Sequence, residues 1–152
     1  MNKGIFWTVG SCIAFMSVIL GLFFNQWTTP RELSAEEYKD LGAYFIEPSR
    51  NLTKLTLVDD TNSYFEFQNF KGKWNVLFFG FTFCPDICPV TMKQLQEIKK
   101  GLGDESEKVR FFLVSVDPIR DTPEKLRVYL DNFDEEFIGL TGEIDRIYKF
   151  AT

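Results

Sequence analysis

Two stretches of the chain, NVLFFGFTF (75–83) and VRFFLVSV (109–116), are almost unbroken apolar runs. This is the pattern of strands covered on both faces. Between them, VTMKQLQEIKKGL (90–102) places Leu95, Ile98 and Leu102 at helical spacing, with Lys99 and Lys100 and then glycines where a helix should end. Asp121-Thr122-Pro123-Glu124 reads as a helix start, with Asp121 as the cap. Leu126, Tyr129, Leu130 and Phe133 form the buried stripe of that helix. FIGL (137–140) is a third short strand, and Thr141-Gly142-Glu143 opens a last helix whose stripe begins with Ile144, Ile147 and Tyr148. This alternation predicts an α/β layer with parallel strands.

Upstream the period changes to two. LTKLTLVDD (52–60) and SYFEFQNF (63–70) alternate apolar and polar positions, which predicts an antiparallel hairpin turning at Asp60-Thr61-Asn62. Ser34 and Glu37 have the spacing of a capping box for a short helix, with Pro48 as its latest end. Asn25–Ser34 reads as a polar linker. Ile5–Phe24 carries no charge over 20 residues. As a helix it would cover about 30 Å, the thickness of a hydrocarbon core. Trp7 and Trp27 lie near its ends, as interfacial aromatics do. The length favours a membrane anchor over a cleaved signal peptide, a lipoprotein signal or a buried core helix. The domain plan is therefore an anchor over 1–28, a linker and short helix over 29–50, and one folded domain over 51–152.

Charge and composition narrow the chemistry. Acidic residues outnumber basic ones, 22 against 17, and no basic block exists to bind nucleic acid. The chain has no histidine, which removes Ser-His-Asp and Cys-His catalysis and any imidazole-dependent zinc site. Of the three cysteines, Cys12 falls in the apolar run, leaving Cys84 and Cys88 in FTFCPDICPV (81–90). This stretch lies where a strand gives way to a helix beginning near Pro89, a common ligand position in α/β sheets. The helix-end potential favours thiolate over thiol. Spacing of four puts the pair within reach of a disulfide or of one soft ion such as Cu(I). Zinc would want two further ligands. Met92 could add a thioether, but a core methionine is the simpler reading. Two thiols that are merely buried remain the plain alternative.

The motifs FGFTFCPDICP, SVDPIRDTPEKL and GLTG, in that order, resemble those of the SCO/SenC family of copper-dependent cytochrome c oxidase assembly factors. The resemblance implies a thioredoxin-like fold with an N-terminal β-hairpin, on one transmembrane helix in the inner membrane, facing the periplasm. It implies copper as the metal, held by Cys84 and Cys88 plus a histidine near the end of the domain. Asp86 and Asp117 match acidic positions of the motifs, while Arg120 and Asp121 read as a surface charge and a helix cap. The expected partners are the copper-containing subunit of cytochrome c oxidase or other periplasmic copper proteins. Two activities are implied: copper delivery, or thiol–disulfide exchange in which Cys84 and Cys88 are catalytic. A peroxidase reading shares the thiolate at a helix start but lacks a motif. The family's remaining strands, and the loop with the histidine, are expected beyond Thr152, so the chain reads as C-terminally truncated with one sheet edge unpaired.

Overall fold

The structure, a computed structural model, describes residues 3–28, 34–46 and 55–151. The chain divides into two compact units, Met1–Ser49 and Arg50–Thr152. In the first, α1 (Lys3–Thr28) takes in the whole apolar run and continues through Asn25, where a linker was expected. Its stretch Gly4–Trp27 is long and apolar enough to cross a membrane. The short helix α2 (Ala35–Asp40) starts as the spacing predicts: Ser34 and Glu37 form the reciprocal capping box. It stops well before Pro48, which lies outside the described residues. Gly42 adopts a left-handed φ of 81°, so that its N–H and that of Ala43 reach back to Lys39 and Tyr38.

The second unit is a five-stranded sheet in the order β2-β1-β5-β4-β3. Strand β1 (Thr56–Asp59) pairs antiparallel with β2 (Tyr64–Glu66), and the hairpin turns where the sequence predicts. Asp59 Oδ1 accepts the N–H groups of Thr61 and Ser63 at 3.0 and 2.9 Å, and Asn62 supplies the left-handed residue. Residues 52–54 of the expected strand lie outside the described residues. The QNF end of the second run is not strand: Phe67–Phe70 forms a 3-10 turn. The turn swings Phe70 onto Phe65 and Phe112, with ring centres 4.9 and 5.3 Å apart, so aromatic packing overrides the alternation.

Parallel strands β3 (Trp74–Gly80), β4 (Val109–Ser115) and β5 (Ile138–Thr141) carry the α/β layer, and β1 closes antiparallel onto β5. Side chains of β4 alternate between two cores. Phe112 and Val114 face Leu57, Phe65, Ile147 and Phe150; Phe111 and Leu113 face Met92, Leu95, Leu126 and Leu130. β4 is covered on both faces as expected, whereas β3, last in the sheet order, is mostly half-buried.

Helix α3 (Ile87–Leu102) begins two residues before Pro89, and α4 (Pro123–Leu130) begins at its proline. In α3 the stripe is rotated from the expected one. Cys88, Met92 and Leu95 are buried, while Ile98 is exposed beside Val90, Lys93 and Phe133 in a shallow groove. In α5 (Ile144–Ala151) the buried residues are Ile147 and Phe150, three apart, and Ile144 and Tyr148 are exposed. An ion pair between buried Asp60 and half-buried Arg127 ties the hairpin to α4. The Asp60 carboxylate takes Arg127 Nη1 at 2.8 Å and the Gly139 N–H at 3.0 Å.

Candidate functional site

The end of β3 and the start of α3 place the two thiols. After Gly80 the chain turns, with the Cys84 N–H on the Phe81 carbonyl at 3.3 Å, and α3 starts three residues later. The first turn of any helix leaves N–H groups without intrahelical partners. Asp86 stands at the N-cap position, yet its exposed side chain makes no capping bond. Cys84 takes that role: its sulfur accepts the Cys88 N–H at 3.4 Å. Pro89 has no N–H to offer, so one sulfur serves much of the open end.

The two thiols are electrostatically unequal. A hydrogen bond from the Cys88 thiol, with the backbone N–H groups of Asp86, Cys88 and Ile87, holds Cys84 below the ordinary thiol range. Burial pushes Cys88 up, and donation to Cys84 pushes it further; the Phe81 N–H opposes this, and the charges of Cys84 and Asp121 add to it. Cys84 is partly exposed and Cys88 is buried. The arrangement is a thiolate-prone sulfur facing solvent, backed by a protonated one. Iodoacetamide at neutral pH should therefore modify Cys84 well before Cys88, read by peptide mapping; the reverse order would contradict this asymmetry.

Gly80 makes room for the pair. A Cβ there would lie 2.7 Å from Phe78 Cε1 and 3.2 Å from Cys88 Sγ. Gly80→Ala should lower stability by about 1–3 kcal/mol through overpacking, seen as an earlier urea midpoint. An unshifted midpoint would show that the fit is looser than the structure has it.

Below the thiols lies a residue whose role the sequence misassigned. Asp121 is not the cap of α4. Thr122 is, accepting the Lys125 N–H, while Asp121 is fully buried. A proline at the first helical position points to the residue directly before it as the cap, and that signal was present in Thr122-Pro123. The Asp121 carboxylate accepts the Thr82 N–H at 3.0 Å, the Thr82 hydroxyl at 2.5 Å and the Ser115 hydroxyl at 2.6 Å. It thus joins the cysteine loop to the end of β4. The Val116 N–H on the Gly80 carbonyl, at 2.9 Å, adds a second tie.

Asp117 lies in the loop after β4 and pairs with Arg120. Arg120 is more than a surface charge: its guanidinium sits 5.9 Å from the Phe81 ring centre and 5.2 Å from that of Phe83. The structure therefore gathers Cys84, Cys88 and, through Arg120, Asp117 around one loop, and leaves Asp86 pointing to solvent. Cys12 is exposed on α1, in the other unit. Tyr129, expected only as a core residue, puts a buried hydroxyl into this region, with its pKa pushed up to about 12 by burial and by the charges of Cys88, Cys84 and Asp121.

As a donor set, two sulfurs suit a soft monovalent ion. Among the described residues no cluster of three or more histidine, cysteine or carboxylate side chains forms a fuller metal site. A partly exposed thiolate-prone sulfur beside a buried thiol is also a pair that thiol–disulfide exchange can use.

The chain is 41% identical over 117 residues to mitochondrial protein SCO2 of Saccharomyces cerevisiae, covering 76% of this chain and 37% of that protein. Among solved structures, copper-bound ScoI of Bradyrhizobium japonicum is 37% identical with a TM-score of 0.59, covering 62% of this chain and 60% of that one. BsSco, a member of the Sco family of cytochrome c oxidase assembly proteins in which a disulfide switch was identified, is 29% identical with a TM-score of 0.55, over 63% and 58% of the two chains. The chain thus spans 37% of the first of these relatives and about 60% of the other two. The α/β sheet is the thioredoxin-like fold of the Sco structures. The SCO1/SenC family profile matches residues 46–152, from just before the hairpin to the last helix, and the chain belongs to that family.

Proposed function

We propose that this chain is a copper chaperone for assembly of the cytochrome c oxidase copper centre, carrying Cu(I) between Cys84 and Cys88. The observation that carries the reading is the position of Cys84: a thiolate-prone sulfur at the mouth of α3, hydrogen-bonded to the Cys88 thiol and N–H. Loading would release the Cys88 proton and leave two soft anionic donors, a set that favours Cu(I) over harder ions. The copper-bound relative and the family membership support it. The apolar helix α1 serves as the single anchor, with the folded unit on the periplasmic side of the cytoplasmic membrane. The partner is the copper-bearing oxidase subunit or another periplasmic copper protein. In the test, the full chain in detergent, reduced and oxygen-free, competes with a chromophoric chelator for Cu(I). Uptake of about one equivalent is expected; none would overturn the reading.

The asymmetry of the two thiols favours a second activity on the same site. In it the Cys84 thiolate attacks a disulfide of an oxidase subunit, forming a mixed disulfide and releasing one partner thiolate. Cys88, losing its proton to solvent, then attacks Cys84 sulfur, closing the Cys84–Cys88 disulfide and releasing the second partner thiolate. Two electrons pass from this chain to the partner. Cys88→Ser should trap the mixed disulfide on a non-reducing gel; no trapped species, with copper uptake by the wild type intact, would leave the chaperone activity alone.

A further inference from the structure

One turn grips the cysteine loop at three successive residues. Thr82 gives its N–H and its hydroxyl to the buried Asp121 carboxylate, at 3.0 and 2.5 Å. Its neighbours Phe81 and Phe83 both lie against the guanidinium of Arg120, the residue next to Asp121. Arg120 and Asp121 belong to one turn, closed by their N–H groups on the Asp117 carbonyl at 3.1 and 3.0 Å. The turn is itself fixed from behind. The Ser115 hydroxyl donates to the Asp121 carboxylate at 2.6 Å and accepts the Asp117 N–H at 3.1 Å. The Thr141 hydroxyl donates to the Asp121 carbonyl at 3.1 Å. From Thr82 the grip leads directly to the thiols. Two residues on, Cys84 has its N–H on the Phe81 carbonyl at 3.3 Å and its sulfur on the Cys88 N–H at 3.4 Å.

We propose that Thr82 is a positioning residue for the thiol pair: pinned to Asp121, it holds the cysteine loop in the dithiol arrangement and disfavours the Cys84–Cys88 disulfide. The inference rests on the exchange reading above, and adds which state of the pair the fold prefers. Both sulfurs are free thiols in the gripped loop. A disulfide brings its sulfurs to about 2.05 Å, far inside the separation of two hydrogen-bonded thiols. Closure therefore draws the Cys84 sulfur from its place over the first turn of α3 and pulls on the loop behind it. A hydrogen bond to a carboxylate is among the stronger ones a hydroxyl can make, so Thr82 resists that pull. The consequence is a pair kept reduced, the form in which two sulfurs can accept a soft ion.

Thr82→Val removes the hydroxyl and keeps the shape and the N–H bond. In the test the full chain in detergent is equilibrated with reduced and oxidised glutathione at fixed pH. Cys84 and Cys88 give two electrons and two protons to glutathione disulfide, which leaves as two thiols. The fraction of Cys84–Cys88 disulfide is read by alkylation and peptide mapping. Thr82→Val should shift the equilibrium toward the disulfide roughly tenfold, a potential lower by about 30 mV. Thr82→Ser, which restores a hydroxyl, should return it to the wild-type value. A merely structural hydroxyl would be missed equally by both redox forms and leave this equilibrium unmoved. By the same cycle, Thr82→Val should lower the urea midpoint of the reduced protein more than that of the oxidised. If the valine variant does not fold, Arg120→Met carries the test: it loosens Phe81 and Phe83 at a half-exposed position and should shift the equilibrium the same way, about two- to fivefold. An unmoved equilibrium, an equal shift in Thr82→Ser and Thr82→Val, or equal falls of the two midpoints would overturn the inference. Wild-type protein that forms no Cys84–Cys88 disulfide at any glutathione ratio would instead overturn the exchange reading, so the two failures are distinguishable.

Discussion

Replacing either cysteine by serine should collapse Cu(I) binding. Cys84→Ser removes the sulfur that both caps α3 and faces solvent; Cys88→Ser removes the buried second donor and the thiol that hydrogen-bonds the first. An alcohol is a harder and far less acidic donor than a thiol, so each variant keeps one soft ligand of the two. The loss should exceed that of outer-shell changes, more than about 100-fold in affinity, measured by chelator competition. The two variants should differ in the apo state. Serine at position 84 still offers an oxygen to the helix N–H groups, and serine is a good cap, so stability should hold within about 1 kcal/mol. Serine at position 88 buries a hydroxyl where a thiol sat and should cost more. Uptake by Cys84→Ser equal to that of the wild type would remove Cys84 from the site.

The largest effect on folding is expected at Asp121. Its carboxylate is fully buried and engages donors from two segments, Thr82 in the cysteine loop and Ser115 at the end of β4. Asp121→Ala leaves the Thr82 N–H and two hydroxyls without their acceptor. Each orphaned buried donor costs about 1–3 kcal/mol, and rotation of the hydroxyls relieves part of this. A net loss of about 3 kcal/mol is expected in urea unfolding, enough to populate unfolded chain at physiological temperature for a domain of this size. Asp121→Asn keeps one acceptor oxygen and should lose about half as much. An alanine variant as stable as the wild type would mean that the carboxylate does not hold the loop.

The sequence was informative where one kind of constraint acted alone. β4 reads as a doubly covered strand because every position from Phe111 to Ser115 is buried, and the Ser34–Glu37 box is local chemistry that needs no tertiary context. Reading failed where tertiary packing competed with local pattern. The run through Phe70 alternates like a strand, but the Phe65–Phe70–Phe112 cluster curls it into a 3-10 turn. Ile98 fits helical spacing from Leu95, yet the buried face of α3 is set by Cys88 and Met92. At the site, the cysteine pair was legible from its place between strand and helix. The inward turn of Asp121 was not, because Thr122-Pro123 marks Thr122 as the cap but nothing local says that the carboxylate before it ties two segments together. Tyr129 was hidden for a similar reason: an aromatic in a buried stripe gives no sign that its hydroxyl lacks a partner.

The most direct test is X-ray absorption at the copper edge, on the full chain loaded with Cu(I) and on the double variant Cys84→Ser, Cys88→Ser. Sulfur-dominated scattering in the wild type, lost in the double variant, is the expected result. Scattering from oxygen and nitrogen alone in the wild type, or a sulfur signal that survives removal of both cysteines, would place the metal elsewhere and contradict the account.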